Sequence, residues 1–321
     1  MFLANGARVV AAALSIAMVS TSAVAQFVQE HIIAVESSTP ASVKDFLQGK
    51  KGPPVQLAGK LHLAKPGDKQ PVVLILPGAG GIGATRHAPG EWARVLNDAG
   101  ISTFILDSFT GRKRYQIGEQ AALPAIVRVV DAFAALKMLS EHPFVDGSKI
   151  SVMGFSHGSA ATMYTNTARF QEQYGNGLKF ASHISLYGLC ATKYRGDDEI
   201  KSPMLILHGS ADDWVPAAPC IEYVERLQKA GKDVRLITYP DAHHVFDSVS
   251  AGALKKLDFT TAAGCLQEEA ESGEILGRGS DKPLAKEDPC RKKGVSFGYN
   301  ENATKKAHED VLAFLKKEIL K

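Results

Sequence analysis

The strongest constraint on this chain is a rhythm that starts near residue 55. Short runs rich in Val, Ile and Leu alternate with longer segments of helical spacing. PVVLIL (71–76) is a continuous apolar run, and STFIL (102–106), KISVMG (149–154), SHISLY (182–187), PMLIL (203–207) and VRLITY (234–239) follow as short runs of the same kind. Runs of this length without polar alternation suit strands buried on both faces, as in a parallel sheet covered by helices. Between them, Pro89 to Ala99 carries an apolar stripe and stops at Gly100, and residues 217–230 run to Gly231. Leu123 to Leu139 places Ile126, Val129, Val130, Phe133, Leu136 and Leu139 at helical spacing, and 302–320 does the same with Val311, Leu312, Phe314 and Leu315. The alternation predicts an α/β fold: a mostly parallel central sheet with right-handed crossovers and helices on both faces. HIIAVES (31–37) and VQLAGKLHLA (55–64) are expected as antiparallel edge strands.

Bulk properties narrow the function classes. A net charge of +3 from 37 basic and 34 acidic residues, without long basic runs, argues against nucleic acid as a partner. The first residues, MFLANGARVVAAALSIAMVSTSAVAQ, combine Arg8, an apolar stretch from Val9 to Val19 and an Ala23-Val24-Ala25 cleavage pattern. These are the parts of a secretory signal peptide, expected over 1–25 with cleavage after Ala25. The apolar stretch is short for a bilayer span, so no membrane association is expected after cleavage. The remainder, 26–321, is expected to be one domain located in the periplasm or secreted, its oligomeric state left open.

Four cysteines fit export. Cys190, Cys220, Cys265 and Cys290 form no C-x-x-C pair, so a zinc ribbon or thioredoxin-type site is not indicated. Two disulfides are expected, with buried free thiols as the alternative. Of three connectivities, Cys190–Cys220 and Cys265–Cys290 close modest loops and are preferred. No metal motif is present: there is no H-E-x-x-H, and His243-His244 lacks a partner ligand at defined spacing. No cofactor is expected. Residues 247–300 break the rhythm, being rich in glycine, charge and small residues. They read as an irregular strap pinned by a disulfide or as an insertion bordering a pocket.

The chemistry centres on GFSHG, residues 154–158. It fits G-x-S-x-G, and its context raises its weight. KISVM before it reads as a strand and SAATMYTNTARF after it as a helix. That strand–turn–helix is the setting of a nucleophile elbow, in which Gly154 and Gly158 make room and Ser156 Oγ is pushed out over the sheet edge. His157 enters the helix with its ring aimed away from the serine oxygen, so it is expected to act through its backbone N–H. The acid and base should follow in the order Asp, His. LILHGSADDWVP (205–216) places Asp212 and Asp213 after one strand; YPDAHHVFDS (239–248) places His243 and His244 after another. Three strand ends of a parallel sheet face one crevice. After strand 71–76 comes PGAGGIG (77–83), whose small residues would let backbone approach a substrate. Its Ala79 N–H is the expected second oxyanion donor beside that of His157, with Gly80 the next choice. A phosphate-cradling loop is the rival, but neither G-K-[ST] nor G-x-G-x-x-G is present.

With these motifs the chain resembles the dienelactone hydrolase family of α/β-hydrolases over roughly residues 50 to 320. The resemblance rests on VDGSKISVMGFS leading into GFSHG, on G-x-x-D-x-x-V-P in GSADDWVP, and on A-x-H-x-F in YPDAHHVFD. It implies the α/β-hydrolase fold and a Ser156, Asp212, His244 triad, with Asp213 a flanking residue and His243 a rim residue. The best-known members use a cysteine nucleophile. Ser156 in that place points to ordinary ester or lactone hydrolysis through an acyl-enzyme, with a small-molecule substrate. Arg86, His87, Arg112, Trp214 and Phe246 lie on loops that could rim the pocket, and Arg86 or Arg112 could hold a carboxylate. A peptidase or acyltransferase on the same triad, and a binding protein retaining the fold, are the alternatives.

Overall fold

A computed structural model describes residues 29–83 and 89–320; the expected signal peptide lies outside the described residues. An eight-stranded sheet is built from β1 (Gln29–Ser38), β2 (Pro54–Leu63), β3 (Gln70–Leu76), β4 (Ser102–Asp107), β5 (Val145–Phe155), β6 (His183–Leu186), β8 (Met204–Gly209) and β9 (Val234–Tyr239). Its order is β1-β2-β4-β3-β5-β6-β8-β9. From β4 through β9 all neighbours are parallel, while β1 and β2 are antiparallel at one edge. Both edge assignments and all six apolar runs therefore lie in the sheet.

Strand alternation sorts the side chains into two layers. Val72, Leu74 and Leu76 of β3 face one buried cluster with α4 (Arg128–Ser140), α5 (His157–Tyr164) and α7 (Ala218–Lys229). Val73 and Ile75 face the other, with α2 (Pro89–Asp98) and α8 (Glu301–Glu318). Burial on both faces explains why these strands read as continuous apolar runs. Three short helices, α1 (Val43–Leu47), α3 (Ile117–Ala121) and α6 (Ala168–Tyr174), complete the set.

Two segments depart from expectation. SAATMYTNTARF is not one helix: α5 ends at Tyr164 and α6 begins at Ala168. Asn166 sits in the break, where its side chain donates to Ser202 O at 2.8 Å and accepts from Lys201 N and Ser202 N. A tertiary contact has replaced a helical turn. The 247–300 segment is not irregular throughout. β10 (Lys255–Thr261) pairs antiparallel with β13 (Lys292–Phe297), and β11 (Gln267–Glu269) joins β12 (Ile275–Gly277) and the two-residue β7 (Thr192–Lys193). A register shift between Leu257 and Thr260 interrupts the first ladder, which hides its period from the sequence.

Both expected disulfides are formed, Cys190–Cys220 and Cys265–Cys290. The first ties the loop after β6 to α7; the second closes the strap on itself. No helix among the described residues is long and apolar enough to cross a membrane.

Candidate active site

Ser156 stands between β5 and α5 at φ 48°, ψ −114°, a conformation that L-residues rarely adopt. Such a residue costs on the order of 1–3 kcal/mol and persists only when its surroundings over-determine it. Here two glycines do so. A Cβ on Gly154 would sit 2.2 Å from Thr162 Oγ1, and one on Gly158 would sit 2.1 Å from Leu76 O. The start of α5 can therefore press against the end of β3 only without those side chains. Ser156 N donates to Leu186 O at 3.1 Å, and Ser159 Oγ donates to Ser156 O while accepting from Leu189 N at 3.2 Å. The turn is held from both neighbouring strands.

Asp212 follows β8 and is almost fully buried. Its Oδ1 accepts from the backbone N–H groups of Trp214 (3.0 Å) and Val215 (2.8 Å), which fixes the carboxylate plane. Its Oδ2 is left to face His244 Nδ1 at 2.8 Å. His244, in the turn after β9, places Nε2 3.0 Å from Ser156 Oγ. Because a carboxylate only accepts, Nδ1 carries the proton and Nε2 is free to accept from the serine hydroxyl. Below this pair, burial holds the His208 pKa down, and its Nε2–H donates to Val215 O at 2.7 Å.

The imidazole of His244 is wedged by aromatic rings. Tyr187 meets it edge-on at 4.8 Å and Trp214 lies at 5.1 Å. Trp214 also packs on Phe259 and Phe297 of the strap, and Thr261 Oγ1 donates to Trp214 O at 3.0 Å. Phe297 forms a bridge with His244, and Gly298 N donates to His244 O at 3.2 Å. The strap is thus both disulfide-pinned and a wall of the site. Tyr187 OH donates to Asp247 Oδ1 (2.9 Å) and Trp92 Nε1 donates to Asp247 Oδ2 (2.7 Å). Burial raises the Asp247 pKa to about 6 against the lowering effect of these two bonds.

The other expected residues divide. His157 is inward and buried: its Nε2–H donates to Leu123 O at 2.8 Å, and its Nδ1 accepts from Arg128 Nη1 at 3.2 Å. Burial and the Arg128 charge push its pKa down to about 3, so its ring is neutral, and both ring nitrogens are engaged by Leu123 and Arg128. Asp213 does not reach His244; it accepts from Ser296 N at 2.6 Å and from Ser296 Oγ at 3.0 Å, tying the acid loop to β13. His243 is half-buried beside the pair. Ala79 is half-buried, and Gly80 sits at φ 111°.

Two pocket expectations are corrected. Arg112 does not rim a pocket: its guanidinium makes a two-pronged pair with the buried Asp131, at 2.7 and 2.9 Å. Its positive charge is consumed by the fold. Phe246 is fully buried, packed against Tyr187 and Tyr239, and so belongs to the core rather than to a pocket rim. Trp214 does stand at the site, against His244. Arg86 and His87 lie outside the described residues.

Sequence reasoning missed Tyr187, Asp247 and Arg128. The signal for Arg128 was present: with Asp131, it places charge in a helix that is otherwise apolar nearly all round, and such residues are buried only for a reason. A cleft of about 330 Å³ opens beside α5, lined by Ala160, Leu189, Ala263 and Cys265. It begins one helical turn beyond Ser156. Among the described residues, no group of three His, Cys, Asp or Glu is arranged to hold a metal.

The sheet topology and the strand-end loops that meet over it define an α/β hydrolase. Solved chains share the architecture. A dienelactone hydrolase-like promiscuous phosphotriesterase from metagenomic libraries superposes with a TM-score of 0.55 at 18% identity, covering 90% of this chain and 98% of that one. An α/β hydrolase from a Medee basin deep-sea metagenome gives 0.52 at 16%, covering 82% and 93%. At these identities the likeness is one of fold. Residues 59–319 match the model of the dienelactone hydrolase family, and the chain belongs to that family. Among curated proteins it is similar to inactive dipeptidyl peptidase 10 of Rattus norvegicus, 24% identical over 215 residues, and to acylamino-acid-releasing enzyme 2 of Oryza sativa, 23% identical over 221. The chain spans only 27% and 28% of those relatives.

Proposed function

We propose that this hydrolase is a serine enzyme that cleaves carboxylic esters or lactones through an acyl-enzyme. The observation that carries the reading is the line of contacts from Ser156 Oγ to His244 Nε2 (3.0 Å) and from His244 Nδ1 to Asp212 Oδ2 (2.8 Å). In this reading His244 takes the Ser156 proton as Oγ attacks the carbonyl carbon. The tetrahedral oxyanion collapses, expelling the alkoxide, which leaves with the proton from His244. Water then attacks the acyl-enzyme, giving its proton to His244, and Ser156 is regenerated with release of the acid. Asp212 holds the imidazole in its Nδ1–H tautomer and stabilises the imidazolium. The N–H groups of His157 and Ala79 are assigned to the oxyanion, a pair whose single members are each worth roughly 3 kcal/mol.

We place the mature chain outside the cytoplasm, as one domain over 26–321. Support comes from the two disulfides and the cleavage pattern before Gln26. N-terminal sequencing of the exported protein checks this: a first residue other than Gln26 or a near neighbour counts against it.

The enzymatic reading is tested with p-nitrophenyl acetate and Ser156→Ala. Wild type should hydrolyse it well above background and the variant should not, while a fluorophosphonate probe should modify Ser156 alone. Equal background rates for both proteins would sink the proposal. The similarity to peptidase-type relatives makes a p-nitroanilide peptide the natural second substrate; faster amide than ester turnover would favour that alternative.

A further inference from the structure

Arg128 is among the largest fully buried side chains, and no carboxylate forms an ion pair with it among the described residues. The neighbouring Asp131 is engaged by Arg112 and by Ser37 Oγ at 2.6 Å. Burial lowers the Arg128 pKa to about 10, so the group remains charged at neutral pH. Its Nε and Nη2 are buried without a hydrogen-bond partner among the described residues, and its guanidinium carbon lies 4.8 Å from the centre of the Phe109 ring. A buried cation that the nearby Asp131 and Asp107 charges favour only through space, with no ion-pair contact among the described residues, is expensive, several kcal/mol after relaxation. A fold that only needed to fill this volume would be more stable with an apolar residue.

What Arg128 does hold is specific. Its Nη1 donates to Pro77 O at 2.8 Å and to His157 Nδ1 at 3.2 Å. Pro77 begins the 77–83 loop, and His157 follows the nucleophile. The same two segments touch directly, since Gly158 packs against Leu76 O and Pro77 O. One guanidinium nitrogen therefore spans the two backbone pieces that carry the assigned oxyanion donors. His157 completes the link: accepting from Arg128 at Nδ1 forces its proton onto Nε2, where it donates to Leu123 O at 2.8 Å.

We propose that Arg128 is the positioning residue of the oxyanion hole, clamping the Pro77 carbonyl and the His157 ring so that the backbone N–H groups of residues 79 and 157 converge over Ser156. The inference rests on the serine-hydrolase reading above. Arg128 does not touch substrate. It sets the separation of two donors through its bonds to Pro77 O and His157 Nδ1. Lysine is a poor replacement, because the two N–H bonds of Nη1 point in fixed directions in the guanidinium plane, one to the carbonyl and one to the ring nitrogen, whereas an ammonium is a rotating point charge on a flexible stem. A misplacement of about 1 Å in such a site can lower the rate 10²-fold.

The test uses Arg128→Lys and Arg128→Met, with p-nitrophenyl acetate kinetics, inhibition by phenylboronic acid as a tetrahedral adduct of Ser156, and circular dichroism melts. Both variants should lose about 10- to 100-fold in kcat with KM changed less than about threefold. The boronate inhibition constant should rise in step with the loss in kcat. A second pair keeps the proposal exposed if the arginine variants do not fold. His157→Leu removes the acceptor for Arg128 and should lose kcat and boronate affinity together. His157→Gln, offering an amide oxygen to Arg128 and an amide N–H to Leu123 O, should recover most of that loss. Folded arginine variants with kcat within threefold of wild type overturn the proposal, as do lowered kcat with unchanged boronate affinity or equal rates for the two His157 variants. Failure of the underlying reading is distinguishable, because Ser156→Ala would then match wild type.

Discussion

Ser156 and His244 stand 3.0 Å apart, yet they are held by different means. Ser156 is set by backbone geometry. Its positive φ, the clashes that exclude side chains at Gly154 and Gly158, and the bond to Leu186 O leave its hydroxyl one place to point. His244 is set by three distant segments: the loop after β8, with Asp212 behind it and Trp214 against its ring, Tyr187 edge-on to the ring, and the strap through the backbone bridge at Phe297. Backbone over-determination is local and survives most changes elsewhere. Side-chain wedging depends on every neighbour, so damage to the setting of His244 should arise from distant changes, whereas damage to the setting of Ser156 should not.

The largest expected effect separates the acid from its neighbour. Asp212→Asn leaves the base in the wrong tautomer and should lower kcat about 10⁴-fold with the fold intact. Asp213→Asn should instead cost stability, about 1–3 kcal/mol, through its bonds to Ser296, with a much smaller loss in kcat. Steady-state kinetics and chemical denaturation on both variants decide this; the reverse ranking would reassign the acid.

Next comes the nucleophile side. Gly158→Ala drives a Cβ against two backbone oxygens, at 2.1 and 2.6 Å, that cannot swing away. It should cost about 1–3 kcal/mol and lower kcat far more than a typical surface change. A variant with wild-type kcat and melting temperature would show that the elbow is softer than its geometry implies.

The strap is the place to challenge the base side. Opening Cys265–Cys290 with a double Cys→Ser change releases a loop of sequence separation 25, a loss of about 3 kcal/mol in the chain-entropy picture. Because β10 and β13 brace Trp214 and Phe297, kcat should fall while labelling of Ser156 by a fluorophosphonate slows only in proportion. Unchanged kcat in the reduced strap would mean that Tyr187 and Asp212 suffice to hold the ring.

The smallest effect is a pH dependence. The folded Asp247 pKa is raised above its unfolded value to about 6, so the folded state binds its proton more tightly. The protonated carboxyl favours folding at low pH, and that benefit is lost as pH rises from about 4 to 6. Asp247→Asn removes this group's titration. The melting temperature of wild type minus that of the variant should therefore decline by a few degrees across that window and flatten above it. A difference independent of pH would show that Asp247 does not titrate there.

Much of the site was legible because its parts follow strands. Ser156, Asp212, His244 and the 77–83 loop each sit just past an apolar run, and in a parallel sheet those ends share an edge. The pocket residues were less legible. Arg112 and Phe246 lie on the expected loops, but whether a loop side chain faces a crevice or the core depends on what packs beneath it. Asp131 captured the first, and the gap between Tyr187 and Tyr239 took the second. The strands of the strap escaped notice because they are short, charged and broken by a register shift, so neither helical nor strand period survives.

The sequence alone determined the sheet, the order of its apolar runs and the serine on its elbow, and it favoured the cysteine pairing that closes short loops. These follow from periodicity, chain reach and the steric demands of glycine, all of which act between neighbours. The resemblance singled out Asp212 and His244 from their neighbours; tertiary structure brings the two within 2.8 Å, spends Arg112 on Asp131, and has Arg128 bridge Pro77 and His157. Adjacent residues differ by little in the sequence but point in different directions in space. Only the packing of distant segments against them determines which one reaches the site.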